Sequence, residues 1–344
     1  MSDRAADAIA VVVVTHNSAG HLGTLLASLT PMLQQDDELL LVDNASHDGS
    51  AEVAESHHAT VLQTGQNLGF AGGCSIGVDA TEAPLILLLN PDASLHTGCL
   101  EALRAAAAQH PLWAAWQAAV LIDEHRINSA GGVVHYLGIG WAGQCEAPSS
   151  DLPEGDIEVP FPSGAALMVR RTAWHKLGGF DPDYFMYAED LDLGLRLWLA
   201  GKHVGLVPAA QVVHDYDFHK GSAKWFWLER NRWRTVLSVY PSALLALILP
   251  ALAALELALL PVAASQGWLG AKLRAQVAVA KDLPTTLARR RRVQRSRRVS
   301  ALEFASHLTA DLDSPYLNAA RHPLLRWPQA FYWGLVLRAL RLLD

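Results

Sequence analysis

Residues Asp181 to His214, DPDYFMYAEDLDLGLRLWLAGKHVGLVPAAQVVH, decide how the rest of the chain is read. Glu189, Asp190 and Asp192 crowd the start of an apolar helical pattern, Leu191, Leu195, Leu197, Trp198 and Leu199, which Gly201 can end. Carboxylates at a helix start are favoured by the helix dipole, so the cluster alone fits an ordinary helix. Asp192 and Arg196 are four apart, which predicts an ordinary ion pair on that side, with Glu189 three before Asp192. Asp190 points elsewhere. Its i+4 neighbour is Gly194, and the missing side chain predicts open space above a carboxylate that could take a proton from a hydroxyl.

Outward from this stretch, the 344 residues are 51% hydrophobic and 18% charged, enough for a full core and one large domain with an appendage, divided here as 1–235 and 236–344. The net charge of −7 hides an asymmetry. From Asn231 onward 16 Lys and Arg face 6 Asp and Glu, whereas residues 1–230 carry 11 against 28. An acidic body with a basic tail suggests a metal-using site in the first part and an anionic surface for the second. Cys74, Cys99 and Cys145 are odd in number and lack metal-ligand spacing, as expected in a reduced, cytosolic compartment. The N-terminal MSDRAADAIAVVVVTHNS reads as a first strand rather than a signal peptide.

Ala8 to Val14 is a β-branched run suited to a buried parallel strand, followed by polar Thr15, His16, Asn17 and Ser18 and a helix from His21 to Leu29. Leu39 to Val42 is a second strand ending in Asp43 and Asn44; Ala59 to Gln63 and Leu85 to Leu89 are the third and fourth. Strands alternating with helices predict a parallel sheet with ligands at the carboxyl ends of its strands, where the polar clusters lie. Asn67 to Gly77 is a glycine-rich loop opening a helix, whose free amides could face phosphate; the same glycines also suit close packing. No GxGxxG follows the first strand, which argues against a nicotinamide enzyme. Asn90-Pro91-Asp92 ends the fourth strand, and a carboxylate there can hold Mg²⁺ or Mn²⁺ shared with a substrate phosphate.

In order and spacing, VVVVTHNS, LLVDNASHDGS, NLGFAGG, LLLNPDA, SGAALMVRR, GGFDPDYFMYAEDLDLGLRL and the distal His214 resemble the family 2 glycosyltransferases, in particular the rhamnosyltransferase-like group, from about Ile9 to about Pro241. The resemblance implies the GT-A nucleotide-diphospho-sugar transferase fold, an α/β, Rossmann-like, mostly parallel sheet. It assigns Thr15, Asn17, Asp43, Asn44, Asn67, Gly69, Asn90 and Gly164 to the nucleotide sugar. It also assigns Asp92 and His214 to the metal, with NPD standing in place of a DxD triplet. Asp190 becomes the catalytic base and Glu189 its support or an acceptor-positioning group. His219 competes with His214; His16 and Cys74 depart from the family pattern. One base without an enzymic nucleophile implies inverting transfer of a sugar, rhamnose preferred over galactofuranose, N-acetylglucosamine or another hexose, to a glycan or polyprenyl-linked acceptor. A non-catalytic membrane adaptor is the reading from another class.

Past Arg234, the apolar stretch Ala243 to Ala264 has 22 residues, about the 20 a bilayer span needs. Pro250, Pro261 and Glu256 interrupt it, so it is expected to lie in the membrane interface or pack within the tail rather than span. Between Arg289 and Arg298 stand seven arginines in ten positions, without any nucleic-acid-binding motif. They suit an anionic membrane surface or a lipid diphosphate. The expected organisation is a catalytic α/β domain with an α-helical, membrane-associating C-terminal region at the inner face of the plasma membrane.

Overall fold

The computed structural model describes residues 5–214, 223–312 and 323–344, in two compact units. The first holds residues 5–132, 142–197 and 202–214; the second holds 133–141, 198–201 and the described residues from 223 on.

The first unit is built on strands β1 (Ile9–Thr15), β2 (Glu38–Asp43), β3 (Thr60–Gln63), β4 (Leu85–Leu89), β5 (Ala93–Leu95), β6 (Trp113–Asp123) and β7 (Arg126–Ser129). A short pair, β8 (Gly132–Val134) and β9 (Gly140–Ala142), forms a separate two-stranded sheet that falls mostly in the second unit. Strands β10 (Ile157–Glu158), β11 (Ala166–Arg170) and β12 (His203–His214) complete the main sheet, ordered β10-β12-β6-β11-β4-β1-β2-β3. Every residue of β1 and β4 is buried, which is why both read as unbroken apolar runs rather than alternating ones.

Strand β1 pairs in parallel with β2 and with β4, so its neighbours lie on opposite sides and the chain reverses direction across the sheet at β1. In open α/β sheets, ligands bind at such a reversal, outside the carboxyl ends of the strands. Thr15 sits opposite Asp43 in the register, and Asn90 follows the last residue of β4.

The expected parallel pairing holds throughout β1 to β4 and again between β6 and β12, while the strands between and beside them make the sheet mixed. Strand β11 enters between β4 and β6 antiparallel to both, because a long irregular excursion rather than a crossover helix delivers it. Its register sets Ala166 opposite Leu89, so Ser163, Gly164 and Ala165 arrive at the same sheet edge as Asn90. Strand β12 runs parallel to β6, and its far end pairs with β5 so that His214 lies opposite Ala93. The topology thus gathers polar residues from widely separated segments along one edge.

Helix Glu189–Leu199 ends as its sequence predicts, with Gly201 at φ 67° and the Lys202 amide donating to the Leu197 carbonyl at 3.0 Å. Its Asp192 and Arg196 do pair, Nε to Oδ2 at 2.7 Å. The pair is buried rather than an ordinary surface bridge: Tyr184 donates its hydroxyl to Asp192, and Arg196 also donates to the Leu177 and Gly179 carbonyls. The expectation that Gly194 leaves open space is overturned. A Cβ there would stand 2.4 Å from Phe161 Cβ and 2.7 Å from Phe161 Cα, so backbone from the segment before β11 fills the gap.

The second unit is helical: Ala223–Val239, Ser242–Ser265, Leu269–Lys281, Leu283–Arg295, Ala301–Ala305 and Pro323–Leu343. The arginine run is not wholly a ligand surface. Arg289 is buried and donates to Ser238 Oγ, while Arg290 donates to the Leu237 and Tyr240 carbonyls at 2.8 Å. Arg290 therefore satisfies carbonyls at the end of helix Ala223–Val239, and Arg289 braces a side chain of its last turn. Arg291, Arg292, Arg295 and Arg298 remain exposed.

Candidate active site

The site grows from the ends of β1 and β2. Thr15 is fully buried, and its Oγ1 has no hydrogen-bond partner among the described residues. Asn17, at φ 56°, accepts from the His47 amide at 2.9 Å and donates its own amide to Ser46 Oγ at 3.0 Å. It therefore stitches the loop after β1 to the loop after β2. Asp43 accepts from the Ser46 amide at 3.0 Å, an Asx-type turn. His16 donates from Nδ1 to the Asn44 carbonyl at 2.8 Å.

Asn44 carries the connection onward. It is 2% exposed, donates to the Gly69 carbonyl at 2.9 Å and accepts from the Leu68 amide at 3.1 Å. The Gly69 amide is taken by Asn67 Oδ1 at 2.8 Å and the Ala71 amide by the Phe185 carbonyl at 3.1 Å. The start of helix Gly69–Asp79 is consequently not a cradle of free amides. Its glycines serve close approach instead: a Cβ on Gly77 would stand 2.4 Å from Val12, and one on Gly73 2.6 Å from Val14. Gly69 is demanded twice, by φ 72° and by the Phe185 carbonyl oxygen 2.3 Å from where a Cβ would lie.

At the end of β4, His214 Nε2 lies 2.9 Å from Asp92 Oδ1 and 3.0 Å from the Asn90 side-chain amide. His214 is 4% exposed and Asp92 retains access to solvent. Neighbouring ligand atoms on an octahedral cation with bonds of about 2.1 Å are separated by about 3 Å, so these spacings fit a shared Mg²⁺ or Mn²⁺. Among the described residues no group of three or more His, Cys, Asp or Glu converges, and here two of them, Asp92 and His214, stand together as candidates. That is the usual share where a substrate diphosphate completes the shell. His219 lies outside the described residues.

The acidic pair stands beside this cluster. The Asn90 amide donates to the Ala165 carbonyl at 3.1 Å, and the adjoining Gly164 amide donates to Asp190 Oδ2 at 2.9 Å. A second amide, Leu191, donates to Asp190 Oδ1 at 2.7 Å. Asp190 is half-buried; desolvation raises its pKa above the ordinary carboxyl value, while the two amides oppose that rise. Glu189 is buried at 6% exposure, and its Oε2 has no hydrogen-bond partner among the described residues. Desolvation first, and the neighbouring Asp190 charge second, push its carboxyl well above the usual range. Burial raises the Cys74 thiol, with the Glu189 charge adding to it.

All twelve residues singled out from the sequence lie in the first unit, joined through Asn44 on one side and through Asn90, Ala165 and Gly164 on the other. The sequence reading missed the segment before Glu189. Phe185, Tyr187 and Ala188 have φ of 62°, 69° and 65°, conformations that each cost non-glycine residues on the order of 1–3 kcal/mol. No glycine marks that segment; the nearest sequence signal is Gly69, which receives the Phe185 carbonyl.

Residues 10–143 match the model of glycosyl transferase family 2, and residues 85–269, more than half of the chain, match that of glycosyl transferase family group 2. The N-acetylglucosaminyl-diphospho-decaprenol L-rhamnosyltransferase of Mycobacterium tuberculosis H37Rv is 32% identical over 233 residues, 60% of this chain and 76% of that protein. Among solved structures, GalNAc-T7 with UDP, GalNAc and Mn²⁺ superposes with TM-score 0.58 at 16% identity, covering 68% of this chain and 48% of that one. S. aureus TarS 1–349 in complex with UDP gives 0.51 at 14% identity, covering 98% and 92%. These structural likenesses establish the GT-A fold, with a helical C-terminal region following it. The chain belongs to the family 2 glycosyltransferases, is of the rhamnosyltransferase-like type, and catalyses glycosyl transfer.

Proposed function

We propose that this protein transfers a sugar, rhamnose in preference to other hexoses, from a nucleoside diphosphate to a hydroxyl of a polyprenyl-diphosphate-linked glycan, with inversion, at the inner face of the plasma membrane. The observation that carries this reading is the hydrogen-bonded run from the Asn90–Asp92–His214 cluster through Ala165 and Gly164 to Asp190. It sets one candidate base next to one candidate diphosphate site.

Departure of a nucleoside diphosphate from an anomeric carbon concentrates negative charge on the leaving group while the sugar becomes oxocarbenium-like. A divalent cation, Mn²⁺ or Mg²⁺, held by Asp92 and His214 would supply charge neutralisation for that diphosphate. Thr15, Asn17, Asp43 and Asn44 line the ends of β1 and β2 and receive the nucleoside. The unpartnered Thr15 Oγ1 there suits a ligand group. Asp190, fixed by Gly164 and Leu191, accepts the proton of the incoming hydroxyl. Both of its oxygens are oriented, and its raised pKa brings it closer to the neutral range where general bases work best. Glu189, the buried neighbour of Asp190 in the chain, supports it or positions the acceptor. The mycobacterial relative's name specifies L-rhamnose and a decaprenyl-diphosphate-linked N-acetylglucosamine, which supports the donor and acceptor classes.

The test is transfer from a panel of nucleoside-diphosphate sugars to synthetic polyprenyl-diphospho-N-acetylglucosamine, with Mn²⁺ and with excess EDTA, and the anomeric configuration of the product read by NMR. Rhamnosylated product of inverted configuration, lost in EDTA, is expected. Transfer undiminished in EDTA, or with retained configuration, removes the proposed roles of Asp92 or Asp190.

A further inference from the structure

Glycosyl transfer leaves one feature of the second unit unused. Helix Ser242–Ser265 has a mean hydropathy of 2.5 over its most apolar window, yet only 17% of that window is buried. Leu244, Ile248, Leu252 and Ala263 form its inner stripe. Away from that stripe Leu249, Leu257 and Leu260 are 36–68% exposed. Exposed apolar area of this kind marks an interaction surface rather than chance.

Length and composition alone would allow this helix to cross a bilayer, and Glu256 decides against it. Its carboxylate is turned inward, accepting from Arg232, from Lys272 Nζ at 2.7 Å, from Gln276 at 2.6 Å and from Trp233 Nε1 at 3.2 Å. Glu229 completes a neutral quartet by accepting from Lys272 at 2.5 Å, and Lys272 is 1% exposed. The partners belong to helices Ala223–Val239 and Leu269–Lys281. A crossing helix would have to drag those charged helices into hydrocarbon or strand Glu256 there alone, and either is costly.

The neighbouring helices show what the outer face meets. On Leu283–Arg295, exposed Leu283, Leu287, Arg291 and Arg295 follow one another at four-residue steps. On Pro323–Leu343, Trp327, Phe331 and Leu335 repeat at the same step, with exposed Arg338 next along the stripe. That helix packs on Ser242–Ser265, where Tyr332 donates its hydroxyl to the Leu247 carbonyl at 2.6 Å. Apolar side chains followed by cations, and no carboxylate in either stripe, complement an anionic lipid surface: the apolar groups enter the acyl boundary and the arginines stay at the head groups.

We propose that the second unit docks broadside on an anionic bilayer, with helix Ser242–Ser265 lying in the plane of the interface and held to the protein by the Glu256 quartet. This deepens the reading of a polyprenyl-linked acceptor by giving the enzyme a monotopic seat on the leaflet that presents it.

The experiment uses the full chain in a Cys145→Ser background, Cys74 and Cys99 being buried. Single cysteines are placed near the two ends of the helix by Ala246→Cys and Ala264→Cys, both exposed positions. In intact bacterial spheroplasts neither should react with a membrane-impermeant maleimide, and both should react once the cells are opened and the membranes are dissolved in detergent. Purified protein should sediment with vesicles of phosphatidylcholine and phosphatidylglycerol at least about tenfold better than with phosphatidylcholine alone. Leu257→Asp with Leu260→Asp should abolish this while circular dichroism stays unchanged. Reaction of one end in intact spheroplasts shows a span and overturns the proposal. So does sedimentation indifferent to phosphatidylglycerol, or a lipid-free dimer that the paired aspartates dissociate, since a second copy then covers the face. Calorimetry with uridine, thymidine and guanosine diphosphates runs alongside: nucleotide binding retained with docking absent refutes only the docking, and the reverse refutes only the proposed chemistry.

Discussion

Gly164 donates its backbone N–H to Asp190 Oδ2 at 2.9 Å, and a Cβ on Gly164 would lie 3.5 Å from that oxygen and 3.2 Å from Phe70. The glycine thus lets the strand-entry backbone approach the carboxylate and fix its direction. Asp190→Asn keeps the shape and removes the proton acceptor, so kcat should fall roughly 10²- to 10⁴-fold. Nucleoside diphosphate affinity, measured by calorimetry, should stay within about twofold. Near wild-type turnover in this variant would place the base elsewhere.

Glu189 gives a pH signature. A carboxyl whose folded pKa is raised binds its proton more tightly in the folded state, so its contribution to stability falls as pH climbs from the unfolded value of 4.5 through the folded one. Glu189→Gln removes that titration. The variant's Tm relative to wild type should therefore rise as pH is raised from 4 to 8 in scanning calorimetry, and a flat difference would show that the buried charge costs nothing. Its turnover should fall less than that of Asp190→Asn.

Asp192→Asn should act on stability. Removing one charge of the buried pair leaves Arg196 uncompensated, which costs on the order of 3–5 kcal/mol. Tm should drop by roughly 10 °C. Among molecules still folded, the KM for donor should be unchanged, a split that separates this carboxylate from its two neighbours.

Gly194→Ala tests the filled space beside the helix. A methyl group 2.4 Å from Phe161 Cβ should destabilise by about 1–3 kcal/mol through overpacking, read as a lower urea midpoint. An unaffected midpoint would mean that the space is open after all.

Asp92→Ala and His214→Ala should each weaken the Mn²⁺-dependent part of nucleoside diphosphate binding while leaving the metal-free affinity alone. Titration with and without Mn²⁺ separates the two. Equal loss under both conditions would identify general damage to the end of β4 instead of a lost ligand.

Much of the catalytic unit was legible because its signals are local. A β-branched run such as Ile9–Thr15 is a strand wherever it is buried, and Asp43-Asn44 or Asn90-Pro91-Asp92 ends one by its own turn chemistry. The spacing of Asp192 and Arg196 fixes their pairing through helix geometry alone. The order of these motifs sufficed to indicate the GT-A fold and glycosyl transfer.

What the sequence by itself determined is therefore the set of elements, their polar ends and the chemistry those ends offer. The tertiary structure decided which partner each end meets. Gly194 was read as open because helix periodicity sees only its own helix, and Phe161 fills the gap from 33 positions earlier in the chain. Glu256 looked like a flaw in an apolar helix until Arg232 and Lys272 met it from two others. The amides of Leu68, Gly69 and Ala71 looked free until Asn44, Asn67 and Phe185 took them. Burial and hydrogen bonding are properties of pairs, and for most of these pairs the second member comes from another element, where no local pattern names it.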